Sequence, residues 1–268
     1  MNEIKKNHNT INFDSNFNKV VLLVGGAGYI GLVIAKELSS RGMKVIILDN
    51  MIYKHHLGLH SIFYDNNIDY VNRDIRFELE KDFIESHKIT DVVILAGLVG
   101  DPITKKYPDL SREINRDSIQ KLISGFGKSD INKLIFISTC SNYGMIEDGC
   151  KADEDFPLTP LSLYAEDKVG NETYLKNNID SFNFSHTILR FATAFGVSPR
   201  MRFDLSVNEF VYDAFVDSDG GFWSLGRHQG HGGQRRRRDR KFDRRLVVQI
   251  IAESPVLQFS FSSFQVFS

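Results

Sequence analysis

Hydrophobic and polar positions form alternating blocks along residues 19–196. Apolar runs of strand length recur between segments in which apolar residues return every three or four positions. This alternation predicts parallel strands connected by helices that cover both faces of the sheet. The sequence therefore predicts an α/β fold with a doubly wound parallel sheet. The predicted strands are 20–24, 44–49, 68–76, 90–97, 133–137 and 187–196, and the predicted helices are 32–38, 79–86, 111–128 and a segment from 163.

Four glycines follow the first predicted strand directly. Gly25 or Gly26 would permit a tight turn, Gly28 would let a ligand approach the backbone, and Gly31 would let the helix pack on the strand. The N–H groups and the positive dipole end of the new helix favour an anion such as pyrophosphate. A strand, turn and helix without a ligand would show the same pattern, so the function depends on residues further along the chain.

Acidic and small residues stand where the next strands end. Asp49 ends the second predicted strand, 18 residues after Gly31. A carboxylate there would accept hydrogen bonds from the adenosine ribose and repel the extra phosphate of NADP, which favours NAD. An acidic residue that merely begins a loop is the alternative. Asp74 and residues 96–97 follow the third and fourth strands, and binding sites in parallel sheets lie at these carboxyl ends. The pattern therefore predicts a dinucleotide site.

Tyr164 and Lys168 are four residues apart, so on a helix they share one face. A neighbouring ammonium favours the phenolate and moves the pKa of tyrosine from about 10 towards neutral pH. The same lysine could bind a ribose. Surface pairs of this kind are common, but the upstream glycines and the hydroxyl residues Ser138 and Thr139 at the end of the fifth strand favour a catalytic pair.

Composition narrows the class of protein. The chain has 268 residues and a formal net charge of −1, which gives no reason to expect a nucleic-acid partner. No apolar run approaches the length of a membrane span. Cys140 and Cys150 indicate neither a metal cluster nor a disulfide framework, and His55, His56 and His60 lack a ligand spacing. We therefore expect a cytoplasmic protein without a metal site.

Seven segments resemble, in family order, the extended short-chain dehydrogenases/reductases that act as NAD-dependent nucleotide-sugar epimerases and dehydratases. Their fold is Rossmann-like. The resemblance covers residues 19 to about 214, and the individual segments are 25–31, 49–50, 74–75, 95–97, 138–144, 164–168 and 189–191.

The resemblance implies a catalytic role for three residues. Tyr164 would be the acid/base, Lys168 would activate it, and Thr139 would bind the sugar hydroxyl that is oxidised. Dehydratases of the family carry an acidic pair after this threonine, and here Cys140 and Ser141 replace it. The resemblance thus favours an epimerase, in which hydride passes to bound NAD and returns to the other face of a keto-sugar. A dehydrogenase, ketoreductase or dehydratase is the alternative.

The resemblance also implies an NAD cofactor, a nucleotide-sugar substrate and a homodimer through the helix over 111–128 and the helix that carries Tyr164. Asp74 and Ile75 would contact the adenine, and Phe191 would lie beside the nicotinamide. The implied cofactor-binding residues are Gly25, Gly28, Tyr29, Ile30, Gly31, Asp49, Asn50, Asp74, Ile75, Leu95, Ala96, Gly97, Lys168 and Phe191.

Three segments are expected in the chain. Residues 1–18 read as a disordered leader, 19–216 as the NAD-binding domain with the catalytic pair, and 217–268 as an atypical arginine-rich tail that does not resemble the family's substrate domain. We interpret the tail as the product of a frame shift near residue 216, with a solvated linker or a polyanion-binding run as alternatives. On the frame-shift interpretation the chain could be a catalytically impaired NAD-binding remnant.

Overall fold

A parallel sheet forms the centre of the computed structural model, which describes residues 18–79, 81–99, 101–146, 151–218 and 265–267. The strand order is β3-β2-β1-β4-β5-β6-β7. The first six strands pair in parallel, as predicted, and β7 is antiparallel to β6. The strands are β1 (Val20–Val24), β2 (Lys44–Asp49), β3 (Ile68–Asn72), β4 (Asp91–Ile94), β5 (Lys133–Thr139), β6 (Ser185–Phe191) and β7 (Gln265–Phe267).

Helices connect the parallel strands. The α-helices are α1 (Gly31–Ser40), α2 (Lys81–Ser86), α3 (Asp101–Lys106), α4 (Pro108–Arg112), α5 (Ile119–Phe126), α6 (Leu163–Asn177) and α7 (Ser206–Ser218). Short 3₁₀ helices occupy His56–Ser61, Cys140–Tyr143 and Ile179–Ser181, and a π-helical segment, Glu113–Ser118, joins α4 to α5.

Every residue of β1 is buried because both faces of the sheet are covered. Leu22 and Val24 point to one face, where they belong to the same apolar cluster as Phe126 of α5. Leu23 points to the other face and shares a cluster with Leu32 and other residues of α1. This two-sided burial explains why the strands read as continuous apolar runs rather than alternating ones.

The predicted elements differ from the observed ones mainly at their ends. The third strand ends at Asn72 rather than at residue 76, because the Asp74 carboxylate accepts a hydrogen bond from the backbone N–H of Arg76 and forms a turn. The fourth strand ends at Ile94 rather than at residue 97. The single helix predicted over 111–128 is interrupted by the π-helical segment.

The chain divides into two compact units. The first contains the sheet, α1 to α6 and residues 198–200, and the second contains α7 with residues 193–197 and 201–205. In the second unit, Asn208 accepts a hydrogen bond from the Gly196 N–H and donates one to the Arg202 carbonyl. The predicted leader and most of the predicted tail lie outside the described residues, so their character stays a prediction. No helix in the described ranges is long and apolar enough to cross a membrane.

Candidate active site

The turn after β1 depends on Gly25. Its φ is +78°, a left-handed value, and its N–H donates to the Leu48 carbonyl at 2.7 Å. A Cβ at this position would lie 2.5 Å from the Ala96 Cα, so the loop after β4 also requires a glycine here. Of the two glycines that the sequence offered for the turn, the structure therefore shows that Gly25 has the conformation that needs one.

Gly28 and Gly31 differ in the space around them. A Cβ on Gly31 would lie 2.3 Å from the carbonyl oxygen of Gly26, so the start of α1 packs directly on the backbone of the turn rather than on the strand. A Cβ on Gly28 would meet its nearest atom only at 3.4 Å. The turn is therefore closed at Gly31 and open at Gly28, which suits a ligand that approaches the backbone at the N-terminus of α1.

Asp49 ends β2 beside this turn. Its carboxylate accepts hydrogen bonds from the N–H groups of Ala27, at 3.2 Å, and Met51, at 2.9 Å. These bonds hold the carboxylate at the carboxyl edge of the sheet, next to the glycine turn. The ribose-binding role of Asp49 stays a prediction.

Asp74 lies beyond the end of β3 and faces Asn50. The Asn50 side-chain amide donates to Asp74 at 3.0 Å, and the Arg76 guanidinium donates to it at 2.7 Å. The hydrogen bonds from Arg76 lower the pKa of Asp74 to about 2, so the carboxylate is charged at neutral pH. Two of the predicted cofactor-binding residues, Asn50 and Asp74, thus come together, and Ile75, which follows Asp74, packs against the apolar core. The sequence reasoning missed the contribution of Arg76.

Thr139 and Phe191 are paired residues at the ends of β5 and β6. The Thr139 hydroxyl accepts a hydrogen bond from the Ser141 N–H at 3.2 Å and caps the 3₁₀ turn that follows β5. The structure therefore places the predicted sugar-binding hydroxyl and the predicted nicotinamide neighbour side by side. Leu95, Ala96 and Gly97 follow β4, the neighbouring strand.

Lys168 is buried on α6 and points to β5. Its ammonium donates to the Ile137 carbonyl at 2.8 Å and lies 5.7 Å from the ring centroid of Tyr164. Burial lowers the pKa of Lys168 to about 8, although the Glu172 carboxylate opposes the effect. Tyr164 is half-buried. The Ser162 hydroxyl caps the start of α6, which fixes the helical phase that brings tyrosine and lysine to one face.

A buried polar network that the sequence reasoning missed lies next to Lys168 on α6. The carboxylate of Glu172 pairs with the Arg190 guanidinium at 2.7 Å and accepts hydrogen bonds from Ser138 and Asn142. Arg190 also donates to the Tyr143 hydroxyl at 3.0 Å. Glu172 follows Lys168 by one helical turn, and that spacing is the signal from which a buried position could have been inferred.

Asn115 is another residue that the sequence reasoning missed. It lies in the π-helical segment, and its side-chain amide both donates to and accepts from the backbone of Leu98, at 3.0 and 2.7 Å. Its own carbonyl accepts a hydrogen bond from Asn171 of α6 at 2.7 Å. Asn115 therefore fixes the loop after β4 to the helix that carries the Tyr–Lys pair. Single π-helical turns are frequent at functional sites.

The parallel sheet, the glycine turn and the Tyr–Lys pair that α6 places beside β5 define an extended short-chain dehydrogenase/reductase. Within that class, the model of the NAD dependent epimerase/dehydratase family matches residues 21–218, and the chain belongs to this family. The prediction of the family is thereby confirmed. The cofactor prediction is confirmed at the level of the family, which is NAD-dependent.

The chain is similar to several 4-epimerases. It is 30% identical over 185 residues to the UDP-glucose 4-epimerase of Halalkalibacterium halodurans, an alignment that covers 68% of this chain and 53% of that one. The UDP-glucose 4-epimerase of Thermus thermophilus in complex with NAD superposes with a TM-score of 0.63 at 25% identity, covering 74% of this chain and 63% of that one.

The UDP-N-acetylglucosamine 4-epimerase of Methanobrevibacter ruminantium in complex with UDP-N-acetylmuramic acid superposes with a TM-score of 0.66 at 25% identity. The superposition covers 75% of this chain and 64% of that one. The chain spans about half the length of the curated relatives it matches, since the alignments cover 56% and 53% of the first two.

Proposed function

We propose that the chain is an NAD-dependent nucleotide-sugar epimerase. The observation that carries the proposal is the position of the buried Lys168 ammonium beside Tyr164, at the carboxyl edge of a parallel sheet whose first turn is open at Gly28. A tyrosine–lysine pair next to a dinucleotide turn suits the reversible oxidation of a sugar hydroxyl. The similarity to 4-epimerases also supports the proposal of an epimerase.

The residues at the sheet edge fit the cofactor. The open face of Gly28 would accommodate its pyrophosphate on the N–H groups of Tyr29 and Ile30, and Asp49 would bind the adenosine ribose. The charged Asp74 and its partner Asn50 would lie on the adenine side. Ile75 would also contact the adenine, whereas Phe191, with the residues that follow β4, would contact the nicotinamide half.

NAD, when bound, would supply a reversible hydride acceptor for the sugar carbon, so that hydride could be taken from one face and returned to the other. The protein's own groups move the proton. The Tyr164 phenolate would take the proton of the sugar hydroxyl and later give it back. The Lys168 ammonium, 5.7 Å from the Tyr164 ring centroid, would stabilise that phenolate because opposite charges attract. Thr139 would donate or accept a hydrogen bond at the same sugar hydroxyl and hold it towards Tyr164.

The residues after Thr139 favour epimerisation over dehydration. Elimination of water requires an acid and a base beside the sugar, and this chain has Cys140 and Ser141 there. Desolvation raises the pKa of the Cys140 thiol, which stays protonated at neutral pH and is a poor base. A dehydrogenase or ketoreductase is the alternative within the family. A catalytically impaired NAD-binding protein is the alternative from another class.

The test is a cofactor and substrate assay on the purified chain. NAD binding is measured by calorimetry, and reduction of the bound NAD is followed by absorbance with UDP-, GDP-, CDP- and dTDP-sugars. Epimerised product is identified by chromatography. Binding of NAD without turnover of any sugar would favour the impaired protein over the enzyme. Net NADH release in proportion to product would favour the dehydrogenase.

Tyr164→Phe tests the catalytic assignment directly. It removes the proton-transfer group, so turnover should fall by at least roughly 100-fold while NAD affinity is retained. Tyr174→Phe, on the same helix, is the matched control and should leave turnover unchanged. Full turnover in Tyr164→Phe would show that another residue moves the proton. A homodimer through the helices of 111–128 and α6 stays a prediction, which sedimentation would check.

A further inference from the structure

The segment 198–200 lies against the glycine turn although it follows Tyr29 by 169 residues. The buried Ser198 hydroxyl donates to the Tyr29 carbonyl at 2.6 Å and accepts a hydrogen bond from the Arg200 N–H at 3.2 Å. A hydroxyl that joins both backbones fixes this segment to the turn at the start of α1. The backbone of Arg200 is therefore placed by the same turn that forms the proposed pyrophosphate site.

The Arg200 side chain extends across the open face of Gly28. Its Nη1 atom is 3.9 Å from the position that a Cβ on Gly28 would occupy. Its guanidinium carbon lies 5.0 Å from the ring centroid of Tyr53, a distance typical of a cation–π contact. Gly58 leaves room for the arginine stem, since a Cβ there would be 3.6 Å from the Arg200 Cβ. Tyr53 and Gly58 thus orient the guanidinium towards the place where a ligand would approach Gly28.

The electrostatic surroundings leave Arg200 as the positive group of this cluster. Burial, followed by the charge of Arg200, lowers the pKa of His55, so its imidazole is neutral at physiological pH. Asp49 carries the opposite charge, and its carboxylate is held by the N–H groups of Ala27 and Met51. A planar guanidinium beside the start of a helix matches the geometry of phosphate oxygens better than a point charge does.

We propose that Arg200 is a cofactor-binding residue that donates hydrogen bonds to the pyrophosphate of the dinucleotide over Gly28, and that Ser198 is its positioning residue. The inference rests on the proposed function, because it takes the ligand to be NAD. The glycine motif does not include this residue, which comes from the loop after β6 and reaches the turn only in the folded chain.

The test compares Arg200→Gln with Arg202→Gln. The control removes the same charge two residues away, where Arg202 pairs with Asp204 at 2.5 Å. Calorimetry measures the affinity of each protein for NAD, ADP-ribose and adenosine. The loss of a charge-assisted hydrogen bond predicts roughly 10- to 100-fold weaker binding of NAD and ADP-ribose by Arg200→Gln. Adenosine, which has no pyrophosphate, should bind all three proteins equally.

The outcomes separate this inference from the proposed function. A wild-type chain that fails to bind NAD would refute the proposed function and remove the basis of the inference. Normal NAD binding by wild type and by Arg200→Gln alike would overturn the inference alone. An equal loss of affinity for adenosine in Arg200→Gln would also overturn the inference, because the substitution would then act on the structure of the site rather than on a pyrophosphate contact.

Chemical modification of the wild-type chain covers the case in which Arg200→Gln does not fold. Phenylglyoxal modifies accessible arginines, and mass spectrometry of the peptide that contains Arg200 reports the extent. NAD and ADP-ribose should protect Arg200, whereas adenosine should not. Equal modification with and without NAD, in a chain that binds NAD, would overturn the inference.

Discussion

Replacing Lys168 by methionine removes a buried ammonium while keeping most of the side-chain volume. Lys168 is 3% exposed, and its ammonium donates to the Ile137 carbonyl. Its folded-state pKa is about 8, against 10.5 for an ordinary lysine, because burial disfavours the charged form. The folded and unfolded states therefore differ in the protonation of Lys168 over a defined range of pH.

The sign of the effect follows from proton binding. Below about pH 8 both states are protonated at Lys168, and between about pH 8 and 10.5 only the unfolded state is. Stability rises with pH wherever the unfolded state binds more protons. Each unit of pKa corresponds to about 1.4 kcal/mol, so wild type should gain up to about 3 kcal/mol relative to Lys168→Met across this range.

Urea unfolding at a series of pH values from neutral to 10.5 measures this difference. The free energy of unfolding of Lys168→Met is subtracted from that of wild type at each pH. This subtraction cancels the contributions of tyrosines and other groups that titrate alike in both proteins. Lys121→Met removes an exposed lysine from α5 and is the matched control, because a hydrated ammonium has similar surroundings in both states. A wild-type minus Lys168→Met difference that stays constant with pH would refute the reasoning, and with it the buried, desolvated position of the ammonium.

Two further changes test the glycine turn and the buried network. Gly31→Ala should destabilise the fold by at least about 1–3 kcal/mol, because its Cβ would lie 2.3 Å from a backbone oxygen. Gly28→Ala should keep a melting temperature near that of wild type but bind NAD more weakly. Normal NAD affinity in a folded Gly28→Ala chain would contradict the proposed pyrophosphate position. Glu172→Gln should cost about 3–5 kcal/mol in urea unfolding, since it leaves the Arg190 guanidinium buried without a carboxylate. Adding Arg190→Met should recover part of that loss, and a cost near zero for the single change would show that the ion pair is not buried.

The hydrophobic pattern predicted the parallel sheet because its strands are apolar on both faces. The same pattern cannot reveal α6 beyond its first turns, since its buried face carries Asp167, Lys168, Asn171 and Glu172. Buried polar residues look like a solvated face until their partners are known, and those partners come from other elements. The spacing of Tyr164 and Lys168 identified the helix where periodicity did not.

Arg200 and the π-helical segment were unpredictable for related reasons. The role of Arg200 depends on a contact across 169 residues, which no local pattern encodes. The π-helical segment, Glu113–Ser118, contains a single apolar residue, Ile114, which is too little for the apolar pattern to show an interruption, so the sequence predicts one continuous element. Its departure from regular geometry places Asn115 against the backbone of Leu98, a tertiary interaction.

The buried network joins β5 and α6, which contribute the proposed catalytic groups, to β6, which contributes the proposed nicotinamide neighbour. Ser138 precedes Thr139 on β5, and Arg190 precedes Phe191 on β6. Glu172 lies one turn after the proposed catalytic lysine of α6 and bonds to both Ser138 and Arg190. A buried ion pair is weak support for stability by itself, because desolvation offsets much of its attraction. Its consequence here is geometric: neutralising Glu172 should lower sugar turnover more than NAD affinity, since the glycine turn lies on β1, outside the network.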